Sequence, residues 1–306
     1  MKEARYIWMD GALVPWKEAN IHVLSHVVHY GSSVFEGTRC YRTPKGPFCF
    51  RLKEHVKRLF FSAKIYRMEI PYSREEITEA TKALIRGNGQ EACYIRHLVY
   101  RGFKELGLNP LTCPVKVSIA AWEWAPLLGE EGKNTGIDVC VSSWQRLAHD
   151  TMPLLSKGGG HYLNSQLIKL EALTNGYAEG IALTTSGFVA EGSGENIFIV
   201  KDGGLITPPS AAGILPGITR HSVLMLAKEM GIKTSRQMIP REGLYIADEA
   251  FLTGTAAEIM PIRSVDHITV GTGEPGPITR AIAERFSGII TGRDEDLHGW
   301  MEAVSP

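Results

Sequence analysis

Lys157 stands in Leu155-Ser156-Lys157-Gly158-Gly159-Gly160-His161-Tyr162, and 34 residues after it comes Glu191-Gly192-Ser193-Gly194-Glu195-Asn196. Glycines have no β-carbon, so a lysine among them can approach a bound group closely. An amine that forms a Schiff base, with a downstream carboxylate to hold a ring nitrogen, is the equipment of pyridoxal phosphate (PLP) chemistry. The carboxylate keeps the ring nitrogen protonated, and the ring then drains electrons from a substrate's Cα. Taken singly, neither residue says this. A lysine between glycines is ordinarily a solvated loop residue, and a Glu after Phe188-Val189-Ala190 is ordinarily an exposed strand end. A Walker-type phosphate loop is excluded, because these glycines follow the lysine and precede no Lys-Ser/Thr pair.

A phosphate needs donors. Leu215-Pro216-Gly217-Ile218-Thr219-Arg220 reads as the opening of a helix. Free N–H groups and the helix dipole favour an anion there, and Thr219 adds a hydroxyl. Pro-Gly is also common helix-start punctuation. The turn Thr253-Gly254-Thr255-Ala256-Ala257 offers further N–H groups, and Arg58 a fixed charge, although helical arginine is commonly a surface residue. In Cys93-Tyr94-Ile95-Arg96-His97, strand alternation puts Tyr94 and Arg96 on one face and Ile95 on the other. A phenol beside a guanidinium suits a carboxylate; a solvent-facing strand side would look the same. The same period joins Trp122 with Trp124, as an aromatic wall or as core. His29-Tyr30-Gly31 and Phe35-Glu36-Gly37 put aromatic rings beside glycines.

The elements that must position these residues are legible in part. Asp10-Gly11 between short apolar runs predicts a hairpin over 6–16. Helices are expected over 53–66 and 73–88, the second with a Ser73/Glu76 capping box. Strands are expected over 92–100 and 115–124. The polar, glycine-rich stretch 127–136 reads as a linker. Beyond it, strands are expected over 137–144, 180–184, 188–191, 196–200 and 249–253, and helices over 162–175, 218–230 and 278–290. Many strands with few helices suggest α+β halves: a domain over 1–126, the linker 127–136, and a domain over 137–306.

The chain has 306 residues, with 33 Lys plus Arg against 33 Asp plus Glu. That balance argues against nucleic acid or an anionic membrane as main partner. The N-terminus lacks the apolar core of a signal peptide, and no run has the roughly 18 apolar residues of a membrane span. The five cysteines, Cys40, Cys49, Cys93, Cys113 and Cys140, form no C-x-x-C pair. They read as reduced, mostly buried thiols of a cytosolic protein. The ten histidines include no H-E-x-x-H; His22, His26 and His29 cluster, but ordinary packing outweighs a zinc site there, and no metal is expected.

In this order the pieces resemble the branched-chain amino acid aminotransferases, PLP enzymes of fold type IV. The resemblance runs nearly the whole length. It includes His29-Tyr30-Gly31, Val34 to Tyr41, Tyr94-Ile95-Arg96, Gly107-Leu108-Asn109-Pro110, the Lys157 loop, and Glu191 to Asn196. It continues through Leu215 to Arg220, Asp248 to Phe251 and Gly254 to Ile259. It implies a smaller N-terminal and a larger C-terminal α/β domain with the site between them. Lys157 would be the Schiff-base lysine and acid/base. Tyr162 would bond the cofactor's phenolic oxygen and Glu191 its ring nitrogen. Arg58, Ile218, Thr219 and Thr255 would hold the phosphate, with Leu215 in the same cofactor-binding set. Tyr94 and the Thr255-Ala256 backbone would take the substrate α-carboxylate. Phe35, Tyr30, Tyr162 and Trp124, with Gly37 beside them, would form the pocket for a branched side chain. Arg96 with Tyr30 would receive the distal carboxylate of glutamate. Leu108 would come from a neighbouring subunit, which makes a homodimer the minimum active unit and a hexamer the larger alternative.

The implied reaction is transamination of L-leucine, L-isoleucine or L-valine with 2-oxoglutarate, by a ping-pong mechanism. Two departures from the family pattern, Leu127 in place of a pocket tyrosine and the stretch Tyr100 to Glu105, bear on substrate range. The competing readings on the same fold are D-amino acid aminotransferase, aminodeoxychorismate lyase and R-amine transaminase; Tyr94-x-Arg96 favours the L-branched-chain reading. A non-catalytic binding protein is the rival of another class, and the intact Lys157 and Glu191 speak against it.

Overall fold

The computed structural model describes residues 2–124 and 130–305. The chain divides into two compact units, Met1–Trp124 with Ser156–Gly160 and Gly288–Pro306, and Ala125–Leu155 with His161–Ser287.

The first unit is built on a seven-stranded antiparallel sheet. Its order is Met301–Ala303, Gly46–Phe50, Ser33–Thr43, Cys93–Arg101, Val115–Trp122, Tyr6–Met9, Ala12–Pro15. The expected hairpin is present, with Met9 paired to Ala12 across Asp10-Gly11. Helices Leu52–Ile65 and Arg74–Asn88 cover one face of the sheet. The second has the full capping box: Glu76 N donates to Ser73 Oγ at 3.1 Å, and Ser73 N to Glu76 Oε2 at 2.7 Å. Two orphan donors of the first turn are thereby satisfied reciprocally. Val56, Leu59, Ile77, Leu84, Ile95, Val99, Val117 and Ile119 form the core between helices and sheet. Ile95 therefore points into the core, and Tyr94 and Arg96 share the opposite face, as alternation requires.

The long strand Ser33–Thr43 escapes sequence reading. It is buried from Ser33 through Thr38 without alternation, and it contains Glu36 and Gly37, both poor strand formers. The lysine segment Ser156–Gly160 belongs to this unit although it follows residue 137. Backbone pairing explains it: Phe35 N donates to Lys157 O at 3.0 Å, and Val34 bridges Gly158.

The second unit has a nine-stranded mixed sheet. The order is Thr234–Arg236, Gly204–Thr207, Asn196–Lys201, Glu249–Gly254, Glu258–Val265, Ile137–Val141, Glu179–Leu183, Val189–Gly192, with Ile268–Thr269 paired to Glu258–Val265. Its core gathers Val139, Ile181, Val189, Ile197, Leu252, Met260 and Ile262. Helices Tyr162–Thr174, Ile218–Glu229 and Pro277–Ile290 lie within two residues of expectation. The first strand stops at Val141 and not at 144, because Ser142 and Ser143 turn to Glu171: Ser142 Oγ and Ser143 N both donate to its carboxylate. Within the expected linker 127–136, Glu130–Thr135 is a short helix closed by Thr135 Oγ1 donating to Glu131 O at 3.1 Å. Leu127, like Leu128 and Gly129, lies outside the described residues.

Candidate active site

In the first unit, one sheet face gathers most of the expected substrate residues. Lys157 is pinned by its backbone: its N donates to Ser62 Oγ at 2.9 Å, and its O accepts from Phe35 N. Its neighbour Gly159 has no room for a side chain, since a β-carbon there would sit 2.2 Å from Ser33 Oγ. With the backbone held, the Lys157 side chain runs to Phe35, placing Nζ 5.0 Å from the ring centroid. Over the same ring stands the Arg96 guanidinium, its central carbon 4.6 Å from the centroid and 5.6 Å from that of Tyr94. Tyr94 in turn meets Trp124 edge-on at 4.5 Å and Trp122 at 5.3 Å. Trp122 and Trp124 stand together beside it, their ring centroids 5.8 Å apart. Arg96 Nε is buried with no hydrogen-bond partner among the described residues. A buried unpaired guanidinium N–H is costly unless a ligand completes it.

Other expected residues of this unit come from its helices and loops and not from the sheet. Tyr30 ends helix His26–Tyr30, is 45% exposed, and lies 4.5 Å from the His26 ring. Leu108 is 91% exposed, so this chain alone gives it nothing to pack on. Arg58 is largely buried, and Glu36 engages two of its nitrogens, Nε at 2.5 Å and Nη2 at 2.9 Å. Arg58 is thus not the ordinary surface arginine of a helix: a buried acid on the neighbouring strand draws it inward. The three clustered histidines serve local bonds. His26 joins Ser32 Oγ and Gly107 O, His29 joins Val23 O, and His22 accepts from Leu24 N. Among the described residues no group of His, Cys, Asp and Glu could hold a metal ion. All five cysteines are free and buried.

The second unit supplies an acid and an anion cradle. Glu191 is 5% exposed, on strand Val189–Gly192. Its Oε1 pairs with Arg146 Nη2 at 2.9 Å, while Oε2 accepts from Asn196 Nδ2 at 2.9 Å and from Leu215 N at 3.0 Å. Asn196 Nδ2 also donates to Leu215 O, so Leu215 is fixed next to the acid. Two residues on, helix Ile218–Glu229 starts from Gly217, which offers no side-chain cap. Its first-turn N–H groups and the buried Thr219 make the kind of end that takes a phosphate. Arg220 plays another part: its Nε donates to Thr207 Oγ1 and its Nη2 to Pro208 O, and burial brings its pKa down to about 10. Tyr162 opens helix Tyr162–Thr174, half-buried, after His161, whose ring burial holds near pKa 4. Thr255 and Ala256 are half-buried in the turn after Glu249–Gly254, where the buried Thr253 Oγ1 has no hydrogen-bond partner among the described residues.

Three residues central to this geometry carry little sequence signal. Arg146 reaches Glu191 from 45 positions away, with no periodicity to announce it. Glu36 and His55 are an acid in an irregular strand and a histidine in an ordinary amphipathic helix. Asn196 had a usable clue, five residues after the acid at the start of the next strand.

The family Amino-transferase class IV matches residues 33–265. The chain is 50% identical over 305 residues to the branched-chain-amino-acid aminotransferase of Escherichia coli K12, covering 99% of each. Its fold is similar, at TM-score 0.97 and 50% identity, to a crystal structure of the Escherichia coli branched-chain amino acid aminotransferase, over 99% of this chain and 100% of that one. The branched-chain amino acid aminotransferase of Thermobaculum terrenum in its PLP-bound holo-form matches at TM-score 0.93 and 34% identity, over the whole of both chains.

Proposed function

This chain belongs to the class IV amino-transferases, and on that premise we propose that it transfers the amino group of L-leucine, L-isoleucine or L-valine to 2-oxoglutarate, with PLP as cofactor. The products are a branched-chain 2-oxo acid and L-glutamate. The observation that carries the reading is Arg96 set into the aromatic face beside Lys157, with a buried N–H in want of an acceptor. Phe35, Tyr94 and Trp124 suit an aliphatic side chain, and one cation among them suits the distal carboxylate of glutamate. One pocket can thereby serve both half-reactions.

The residues fit the cofactor. PLP, when bound, draws electrons from the substrate Cα and so acidifies its proton. Lys157 would carry the cofactor covalently and, once displaced by the substrate amine, move the Cα proton. Glu191, held by Arg146 and Asn196, would hold the ring nitrogen's proton. The N-terminus of helix Ile218–Glu229, with Thr219, Thr255 and Arg58, would bind the phosphate; Tyr162 would bond the phenolic oxygen. Tyr94 with the Thr255-Ala256 backbone would orient the α-carboxylate, and Tyr30 would close the pocket beside Arg96. The exposed Leu108 supports a homodimer as minimum active unit, each chain lending that residue to its neighbour. Among the described residues no helix is long and apolar enough to cross a membrane; with the balanced charge and five free thiols, this favours a cytosolic enzyme.

The deciding experiment is an amino-donor panel with 2-oxoglutarate, read as total glutamate formed, with its L and D forms resolved. Leucine, isoleucine and valine should all serve, well ahead of D-alanine and an R-amine. Preference for either of the latter would replace this reading with a sibling chemistry.

A further inference from the structure

Glu36 has no solvent exposure at all and lies on the sheet face opposite Phe35. Three donors from helix Leu52–Ile65 meet it: Arg58 Nε on Oε1 at 2.5 Å, Arg58 Nη2 on Oε2 at 2.9 Å, and His55 Nδ1 on Oε2 at 2.7 Å. Burial alone pushes the Glu36 carboxyl up; Arg58 and His55 outweigh it and hold the carboxyl well below the ordinary carboxylate range. Burial draws His55 the other way, below its usual value, so it donates Nδ1–H as a neutral ring. His97 is paired with Glu36 across the strands and turns its Nε2 to Thr81 Oγ1 at 2.9 Å.

A buried ion pair is often no more stabilising than an apolar replacement, so stability does not account for this cluster. Orientation does. A guanidinium is a rigid plane with five donors. Gripped along its Nε–Nη2 edge, Arg58 has one orientation. The same elements hold the lysine segment, since Ser62, one turn after Arg58, accepts from Lys157 N, and Phe35, next to Glu36, donates to Lys157 O.

We propose that Glu36 is a positioning residue that, with His55, orients Arg58 through this buried fork, so that Arg58 meets the cofactor's phosphate as an aimed donor edge and not as a mobile charge. The inference rests on the reading of Arg58 as a phosphate ligand. The test uses the full-length chain resolved from its cofactor and titrated with PLP and with pyridoxal, which lacks the phosphate. Binding is followed by the visible absorbance of the Lys157 adduct, and the ratio of the two affinities is the phosphate selectivity. Glu36→Gln should lower that selectivity by about tenfold or more, through PLP alone, with pyridoxal affinity within about twofold of the parent. Glu36→Asp, which keeps the charge but shortens the fork, should show the same loss. Arg58→Ala is the reference. If Arg58→Ala loses selectivity while the Glu36 variants keep or raise it, or weaken both ligands equally, the inference is overturned and the role of Arg58 stands. If Arg58→Ala itself keeps the selectivity, the phosphate role of Arg58 fails and the inference with it.

Discussion

The Tyr94 ring lies so close over Gly37 that a β-carbon at residue 37 would stand 1.8 Å from the hydroxyl oxygen and 2.7 Å from the ring carbon that bears it. The two are diagonal neighbours, since Gly37 pairs with Arg96 and Arg39 with Tyr94. Any side chain at 37 must push the ring aside. Tyr94 touches Trp122 and Trp124, so the displacement passes into the wall of the substrate face.

Gly37→Ala should therefore cost about 1–3 kcal/mol of stability, as overpacking of a closed site does. Its larger effect should fall on substrate binding. Tyr94 is assigned to the α-carboxylate, which leucine and glutamate share. KM should rise for both, by roughly tenfold or more, the scale of one lost hydrogen bond to a charged group. Steady-state kinetics with each donor measure it. A KM rise for one donor alone would move Tyr94 from the shared carboxylate to the side-chain pocket.

Lys157→Ala should remove turnover and leave the fold intact. Lys157 is half-buried, and its segment is held through backbone N and O, which alanine keeps. The loss should exceed about 10³-fold, since a nucleophile and an acid/base disappear together. Circular dichroism and a steady-state assay with excess substrate separate the two outcomes. Multiple turnovers by a folded variant would refute the assignment.

Much of this was legible in the sequence, and what was not has a physical reason. The capping box at Ser73, the Asp10-Gly11 hairpin and the alternation of Tyr94, Ile95 and Arg96 are local rules, and each holds in the fold. Glu36 on Ser33–Thr43 breaks the pattern because its charge is balanced by a helix some twenty residues on. Arg146 is hidden for the same reason: its partner is set by sheet topology, not by spacing. The lysine segment deceived differently. Its position after residue 137 suggested the second domain, whereas its hydrogen bonds tie it to Ser62 and Phe35 in the first unit.

Stability should vary with pH through Glu195. Burial, then the nearby Glu179, push its carboxyl up to about 8 from an ordinary value of 4.5, with Lys169 opposing. Between those values the folded chain holds a proton that the unfolded chain has released. Native stability therefore falls as pH rises through that window. Glu195→Gln is neutral at every pH and should flatten that part of the slope. Denaturant unfolding at a series of pH values tests it, and identical slopes in parent and variant would remove Glu195 from the account.

The proposed function assigns dual specificity to Arg96. It shares the sheet face of Phe35 and Tyr94, and its Nε is buried without a protein partner among the described residues. If the distal carboxylate of glutamate completes it, Arg96→Leu strands that carboxylate in an aromatic pocket. Truncating one partner of such a charge-assisted pair costs about 2–5 kcal/mol, or tens- to thousands-fold in the half-reaction with 2-oxoglutarate. The leucine half-reaction should change far less, because its side chain brings no charge and the new leucine extends an apolar surface. Single-turnover absorbance measures the two half-reactions separately. Equal losses would assign Arg96 to the shared α-carboxylate or to the scaffold, and a second element would then have to recognise glutamate. A selective loss leaves the aromatic wall to the branched chains and the guanidinium to the acid, two recognitions on one strand face.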